Sequence, residues 1–162
     1  METIKIQKDD DGKYFYKNND KTYYLNALPK GWRIKANVDM SNMGLTELPD
    51  LSGIVITGDL DVSHNKLKSM QGAPQVQKFV ICVDNPFENL DGVQGGCYGI
   101  FCDSNQISAL QNSSNFVQSL AFVPAKNDRE VTSYQLFTNY QAQVICPHQK
   151  RPLNEYFAKG RE

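Results

Sequence analysis

Few residues in this 162-residue chain are of the types that do covalent chemistry. There are two histidines, His64 and His148, and four cysteines, Cys82, Cys97, Cys102 and Cys146. Nucleophilic catalysis needs a nucleophile, a base within hydrogen-bond reach and a group that orients the base. Cys146 and His148 are the nearest approach to such a pair. Their spacing of two residues in a charged, proline-containing linker is a poor geometry for a triad. A small Cys/His hydrolase in the C-terminal segment is the enzyme alternative they leave open. The acidic run Asp9-Asp10-Asp11-Gly12 has the composition of a calcium loop. Placing Gly12 at the sixth loop position puts Gln7 first and Asn18 last, where the key ligands are due. The run is therefore read as a turn. No cysteine pair has zinc spacing, and there is no phosphate loop or dinucleotide fingerprint. The residue types predict no catalytic site, no metal and no cofactor.

What the sequence does organise is spacing. A short phrase recurs with starts at Val38, Leu60, Val80, Ile100 and Leu120, separated by 22, 20, 20 and 20 residues. In the copy that begins at Leu60, apolar residues stand at the first, third, eighth and eleventh places, with Asn65 at the sixth. The next copies give Val80, Cys82, Asn85, Phe87 and Leu90, then Ile100, Cys102, Asn105, Ile107 and Leu110. The first copy has Met43 in place of the asparagine. The fifth keeps Leu120 and Phe122 and then breaks, with Ala125 and Asn127 where Asn and Leu are due.

Two apolar residues flanking one polar residue point the same way from a short strand. Stacked strands then bury a column of Met40, Val62, Cys82, Cys102 and Phe122. A chain that turns inside the stack leaves buried backbone groups without ladder partners. An inward asparagine has two donors and an acceptor oxygen to satisfy them. Asn65, Asn85 and Asn105 are in register for that structural role. Gly72, Gly92 and Asn112 form a second column, of residues that tolerate a left-handed backbone.

The phrase resembles that of the leucine-rich repeat family, in its short bacterial and phage versions, over roughly half the chain. Cys82 and Cys102 depart from the usual aliphatic residue, and Pro86 intrudes beside Asn85. The resemblance implies a mainly β or α+β fold: a short solenoid of about five parallel strands, capped at both ends. It also implies a concave face that binds another protein, in a chain of bacterial or phage origin. By analogy, such a chain acts as an effector or inhibitor of a host complex such as a defence system. A structural subunit of a larger assembly is a further alternative.

The ends are read as caps, with boundaries at 1–31, 32–125 and 126–162. Three runs, Ile4 to Lys8, Lys13 to Lys17 and Lys21 to Leu25, predict an N-terminal β-meander. Strict alternation over 32–40 predicts one half-buried strand. Between the repeat strands, Gly- and Pro-rich segments predict irregular or 3₁₀ backbone. Spacing of Val131, Tyr134, Phe137, Tyr140 and Val144 favours a C-terminal helix, although the stretch also alternates; Pro152 opens a last short helix.

Residues 37–125 hold three Lys/Arg and nine Asp/Glu, whereas residues 1–36 hold eight and five. The acidic middle argues against a nucleic-acid platform. No apolar run approaches a membrane span, and no secretory signal core is present, so a cytoplasmic setting is expected. The outward places of the strands are the candidate protein-binding residues: Asp39, Asp61, Ile81 and Phe101 between the inward ones, then Ser41, Ser63, Val83 and Asp103. Ile81, Val83 and Phe101 make an apolar patch that a partner, a second copy in a homodimer or the C-terminal segment could cover.

Overall fold

The computed structural model describes residues 1–94, Cys97, Gly99–Phe101 and the backbone of strands Leu120–Val123, Thr132–Leu136 and Gln143–Cys146. The fold is mainly β, with parallel sheets. Its largest sheet begins with five short parallel strands: β1 (Thr3–Lys5), β6 (Asn37–Asp39), β8 (Leu60–Asp61), β10 (Phe79–Ile81) and β11 (Gly99–Phe101). They are in register, so that Ile4, Val38, Leu60, Val80 and Ile100 lie side by side. All five are buried. One step on, Ile6, Met40, Val62 and Cys82 form a second column, each no more than 2% exposed. Their amides donate to Asp39, Asp61, Ile81 and Phe101 carbonyls at 2.7–3.0 Å, so the ladder continues past the strands themselves.

The 22- and 20-residue spacing is what keeps these columns aligned, because each circuit returns the chain to the same register. The interior is then filled by Leu45, Leu67 and Phe87, and by Leu48, Met70 and Leu90, all buried. On the opposite side, where composition predicts irregular or 3₁₀ backbone, a second parallel sheet runs instead. It consists of β5 (Arg33–Ile34), β7 (Val55–Ile56) and β9 (Gln75–Val76), with Ile34, Ile56 and Val76 stacked and buried. The single strand expected over 32–40 is therefore two strands in two sheets. Inward–outward alternation persists around the corner at Ala36, so period two alone does not reveal the bend. The corner is tight: a Cβ on Gly58 would overlap the Ala36 carbonyl and the Asn37 amide oxygen.

The N-terminal segment divides. Thr3–Lys5 joins the main sheet, and β2 (Gln7–Lys8), β3 (Tyr14–Asn18) and β4 (Lys21–Tyr24) make an antiparallel meander. Its tight turn uses Asn19 and Asp20 at φ 50° and 65°, the positive values that a primed two-residue hairpin turn needs. The Trp32 indole N–H donates to the Tyr16 hydroxyl at 3.0 Å and ties the meander to the first circuit.

At the other end two expectations are corrected. The fifth copy does not supply the next parallel strand. That place beside β11 is taken by β14 (Gln143–Cys146), and β12 (Leu120–Val123) lies outermost, antiparallel to β13 (Thr132–Leu136). The fifth copy departs from the phrase after Phe122, with Ala125 and Asn127 where Asn and Leu are due, and β14 occupies the edge of β11 in its place. The helix expected over 128–145 is instead β13 and β14 where the residues are described: β-branched and aromatic residues suit a strand, and the edge of β11 offers a ladder. The short helix expected after Pro152 lies outside the described residues.

Asn65→Ala removes the side-chain amide that bonds five backbone groups at one buried corner, the amides of Met43 and Leu45 and the carbonyls of Met40, Val62 and Ser63. It is expected to lower the unfolding free energy by roughly 3 kcal/mol, as for orphaned buried polar groups. Chemical denaturation measures this, and a loss under about 1 kcal/mol would show that the corner is satisfied by other means.

Candidate interaction face

Each circuit turns from the main sheet into a loop through a residue in the left-handed region: Asn42, His64 and Asp84, with φ of 55°, 57° and 56°. The turn strands several amides and carbonyls in the interior. Asn65 meets them: its Oδ1 accepts from the amides of Met43 and Leu45, and its Nδ2 donates to the carbonyls of Met40, Val62 and Ser63. Asn85 repeats the arrangement one circuit on, accepting from Leu67 and donating to Val62, Cys82 and Val83. Both side chains are buried, at 8% and 4% exposure. Asn105 lies outside the described residues.

A second corner column was not singled out in the sequence. The Asn37 side-chain oxygen accepts from the Asp59 amide at 2.8 Å, and the Asp59 carboxylate accepts from the Phe79 amide at 3.0 Å. The signal was available, since residues 37, 59 and 79 keep the 22- and 20-residue spacing. A third column uses glycine. Gly72 and Gly92, at φ +91° and +106°, press against the carbonyls of Pro49 and Met70 in the preceding circuit. Asn112 lies outside the described residues.

With the corners fixed, the strands hold their outward side chains in rows one strand spacing apart. One row reads Lys5, Asp39, Asp61, Ile81 and Phe101. Asp39, Asp61 and Ile81 are half-buried. Each aspartate is locked by its own strand: Asp39 Oδ1 accepts from the amide and hydroxyl of Ser41, and Asp61 Oδ1 from those of Ser63. The next outward place gives Ser41 and Val83 half-buried and Ser63 buried; Asp103 lies outside the described residues.

Lys5 was missed in the sequence because its segment was read as part of the meander. Its ammonium stands 3.5 Å from Asp39 Oδ2. Burial pushes the Asp39 carboxyl up, but the Ser41 hydroxyl and amide and the Lys5 charge outweigh it and hold the group below its ordinary value.

The apolar end of the row differs from the sequence reading in one respect. Phe101 is only 3% exposed. Its ring meets that of Phe79 edge-on at 5.4 Å, and half-buried Phe79 and Ile81 pack against it. The β14 backbone runs alongside, with Ile145 opposite Phe101. Phe101 is thus a wall of the patch, and Phe79 and Ile81 are its accessible part. Phe79 was not assigned to the face in the sequence.

Other places offer less. His64 Nδ1 lies 2.8 Å from Asp84 Oδ2, but both side chains are well exposed, at 50% and 74%, where an ion pair contributes little. A cleft of about 640 Å³ between the meander and the first circuit is lined by Tyr14, Leu25, Leu28 and Ile54, with the exposed Lys13 and Lys30 at its rim. The buried polar side chains of the described residues, Ser63, Asn65 and Asn85, are not among its lining. Cys82 and Cys97 are buried thiols. His148 lies outside the described residues, and Cys146 ends β14. Among the described residues, no group of three His, Cys, Asp or Glu could hold a metal ion, and no helix is long and apolar enough to cross a membrane.

No protein-family model, curated protein or solved structure matches the chain.

The depressed Asp39 carboxyl gives a pH dependence of defined sign. A carboxyl with a folded value below its unfolded one contributes stability above the unfolded value, near pH 3.9, and loses it as pH falls through the folded value. Asp39→Asn should therefore lose less stability than the native chain when both are acidified from about pH 5 to about pH 2. Parallel denaturation curves across that range check this, and equal slopes would assign the acid sensitivity elsewhere.

Proposed function

We propose that the chain is a short leucine-rich repeat solenoid that works as a non-enzymatic protein-binding module through the outward face of its main parallel sheet. One observation carries the reading. Five in-register strands hold a row of outward side chains graded from Lys5 and two aspartates to Ile81, with the covered Phe101 closing the apolar end. Charged groups beside an apolar centre are the usual composition of a specific interface.

The registered columns and the corner bonds of Asn65 and Asn85 support the solenoid part of the proposal. Rigid corners also favour binding, because a pre-organised surface loses little conformational freedom on association. The accessible width, four strands at about 4.8 Å, suits a small epitope. A chain of this kind acts by occupying a surface on another protein, as an effector or inhibitor does.

The test is capture of a binding partner from extracts of the source cell, with substitutions on and off the face. Ile81→Asp should reduce capture at least about tenfold, the effect of losing one central apolar anchor. Glu47→Lys, an exposed change away from the row, should leave it intact. Thermal denaturation of both variants checks that folding is preserved. Capture indifferent to Ile81→Asp would remove the face from the function.

A further inference from the structure

The row on the main sheet contains its own guide to what it accepts. Asp39 and Asp61 sit side by side on β6 and β8, each two residues before a serine that occupies its Oδ1 by amide and hydroxyl. The two carboxylates are thus held in the same manner, each with Oδ2 left over. At Asp39 that oxygen has an ammonium beside it, Lys5 Nζ at 3.5 Å. At Asp61 no ion pair is made among the described residues. Its neighbours in the row are Asp39 on one side and the apolar Ile81 on the other.

Building on the protein-binding reading, we propose that this face takes an extended peptide segment in which a lysine or arginine sits close to a bulky apolar residue, the cation on Asp61 and the apolar group on Phe79 and Ile81. The chain's own Lys5–Asp39 pair demonstrates that an aspartate held by its serine accepts an ammonium at this level of the sheet. With Oδ1 already taken by two donors, Asp61 offers one oxygen, which suits the single contact of an ammonium or of an end-on guanidinium rather than a bidentate fork.

The apolar half is adjacent. Ile81 is one strand, about 4.8 Å, from Asp61; alternate residues of an extended peptide face the same way about 6.6 Å apart, a difference that the length of a Lys or Arg side chain spans. Phe79 and Ile81 remain half-buried, whereas Phe101 and the β14 backbone close the far side. The seat therefore spans Asp61 to Ile81 and goes no further. Charge favours this occupant: residues 37–125 carry three basic against nine acidic side chains, a field that attracts cationic segments and repels acidic ones.

The test is selection from a displayed library of random peptides on the intact chain, followed by binding of a selected synthetic peptide. Enriched peptides should pair Lys or Arg with a bulky apolar residue about two positions away. Asp61→Asn keeps an oxygen for Ser63, so the strand is undisturbed. It should weaken the selected peptide about fivefold or more and flatten its salt dependence. Ile81→Asp should abolish its binding. Neutral or acidic peptides that bind equally to Asp61→Asn but not to Ile81→Asp would overturn the cation seat and leave the protein-binding face standing. Peptides indifferent to both substitutions, or no enrichment at all, would overturn the face itself. A dimer in size-exclusion chromatography that Ile81→Asp dissociates would overturn the proposal by showing the face filled by a second copy.

Discussion

The fold depends on how a chain can turn a corner inside its own core. A strand that ends in a parallel stack must reverse within a few residues, and its last amides and carbonyls face apolar side chains. Each left unpaired would cost about as much as a whole hydrogen bond returns. Asn65 and Asn85 resolve this by reaching both backwards, to the circuit that precedes them, and down, to their own strand. A single side chain thus sets both the bend and the spacing between circuits. The Asn37 and Asp59 oxygens do the same at the opposite corner, on one amide each. Where no side chain helps, glycine lets two backbones touch: Gly92 abuts the Met70 carbonyl where any Cβ would collide.

These corner residues explain which parts of the architecture were legible in the sequence. Columns that recur in phase are visible because the same physical demand is met several times over. Val38, Leu60 and Val80, or Met40, Val62 and Cys82, announce one buried face at a common interval. What depends on a single pairing leaves no such trace. Thr3–Lys5 pairs with Asn37–Asp39 across more than thirty residues, and nothing local distinguishes it from the meander strand that follows. The alternation from Trp32 to Met40 is real in side-chain direction, yet Ala36 bends the backbone from one sheet into the other. The C-terminal strands are the plainest case. Tyr134 and Val144 satisfy helical and strand periods alike, and the choice is made by the open edge of β11, which no local pattern encodes.

The face was legible as a list of positions but not as a surface. Asp39, Asp61 and Ile81 lie in one row because the strands are in register. Lys5 joins that row only through the unforeseen pairing of β1. Phe101, which in the sequence stands out as the largest apolar outward residue, is almost fully covered. The accessible apolar surface shifts by one position to Phe79 and Ile81. Burial of an outward side chain depends on what the sheet's next strand brings alongside, and here that strand is β14 rather than the fifth copy.

Comparison of the copies with one another separates folding from what folding leaves undetermined. Inward places of the main-sheet strands hold Val, Leu, Ile, Met or Cys, as an anhydrous stack demands. Corner places hold Asn, Asp or Gly wherever a backbone group must be met or a close approach allowed. The outward place varies: Asp39 and Asp61 give way to Ile81 and Phe101 in strands of the same register. The Asp39–Ser41 and Asp61–Ser63 bonds stiffen their strands, but Ile81 and Val83 fill the same places in β10 without them, so the stack does not require an acid there. The apolar end is packed, with Phe79 and Ile81 against the covered Phe101, whereas the acids answer no demand of the stack. In the proposed binding role, the change from acid to hydrocarbon sets a charge-accepting group one strand spacing from an apolar one.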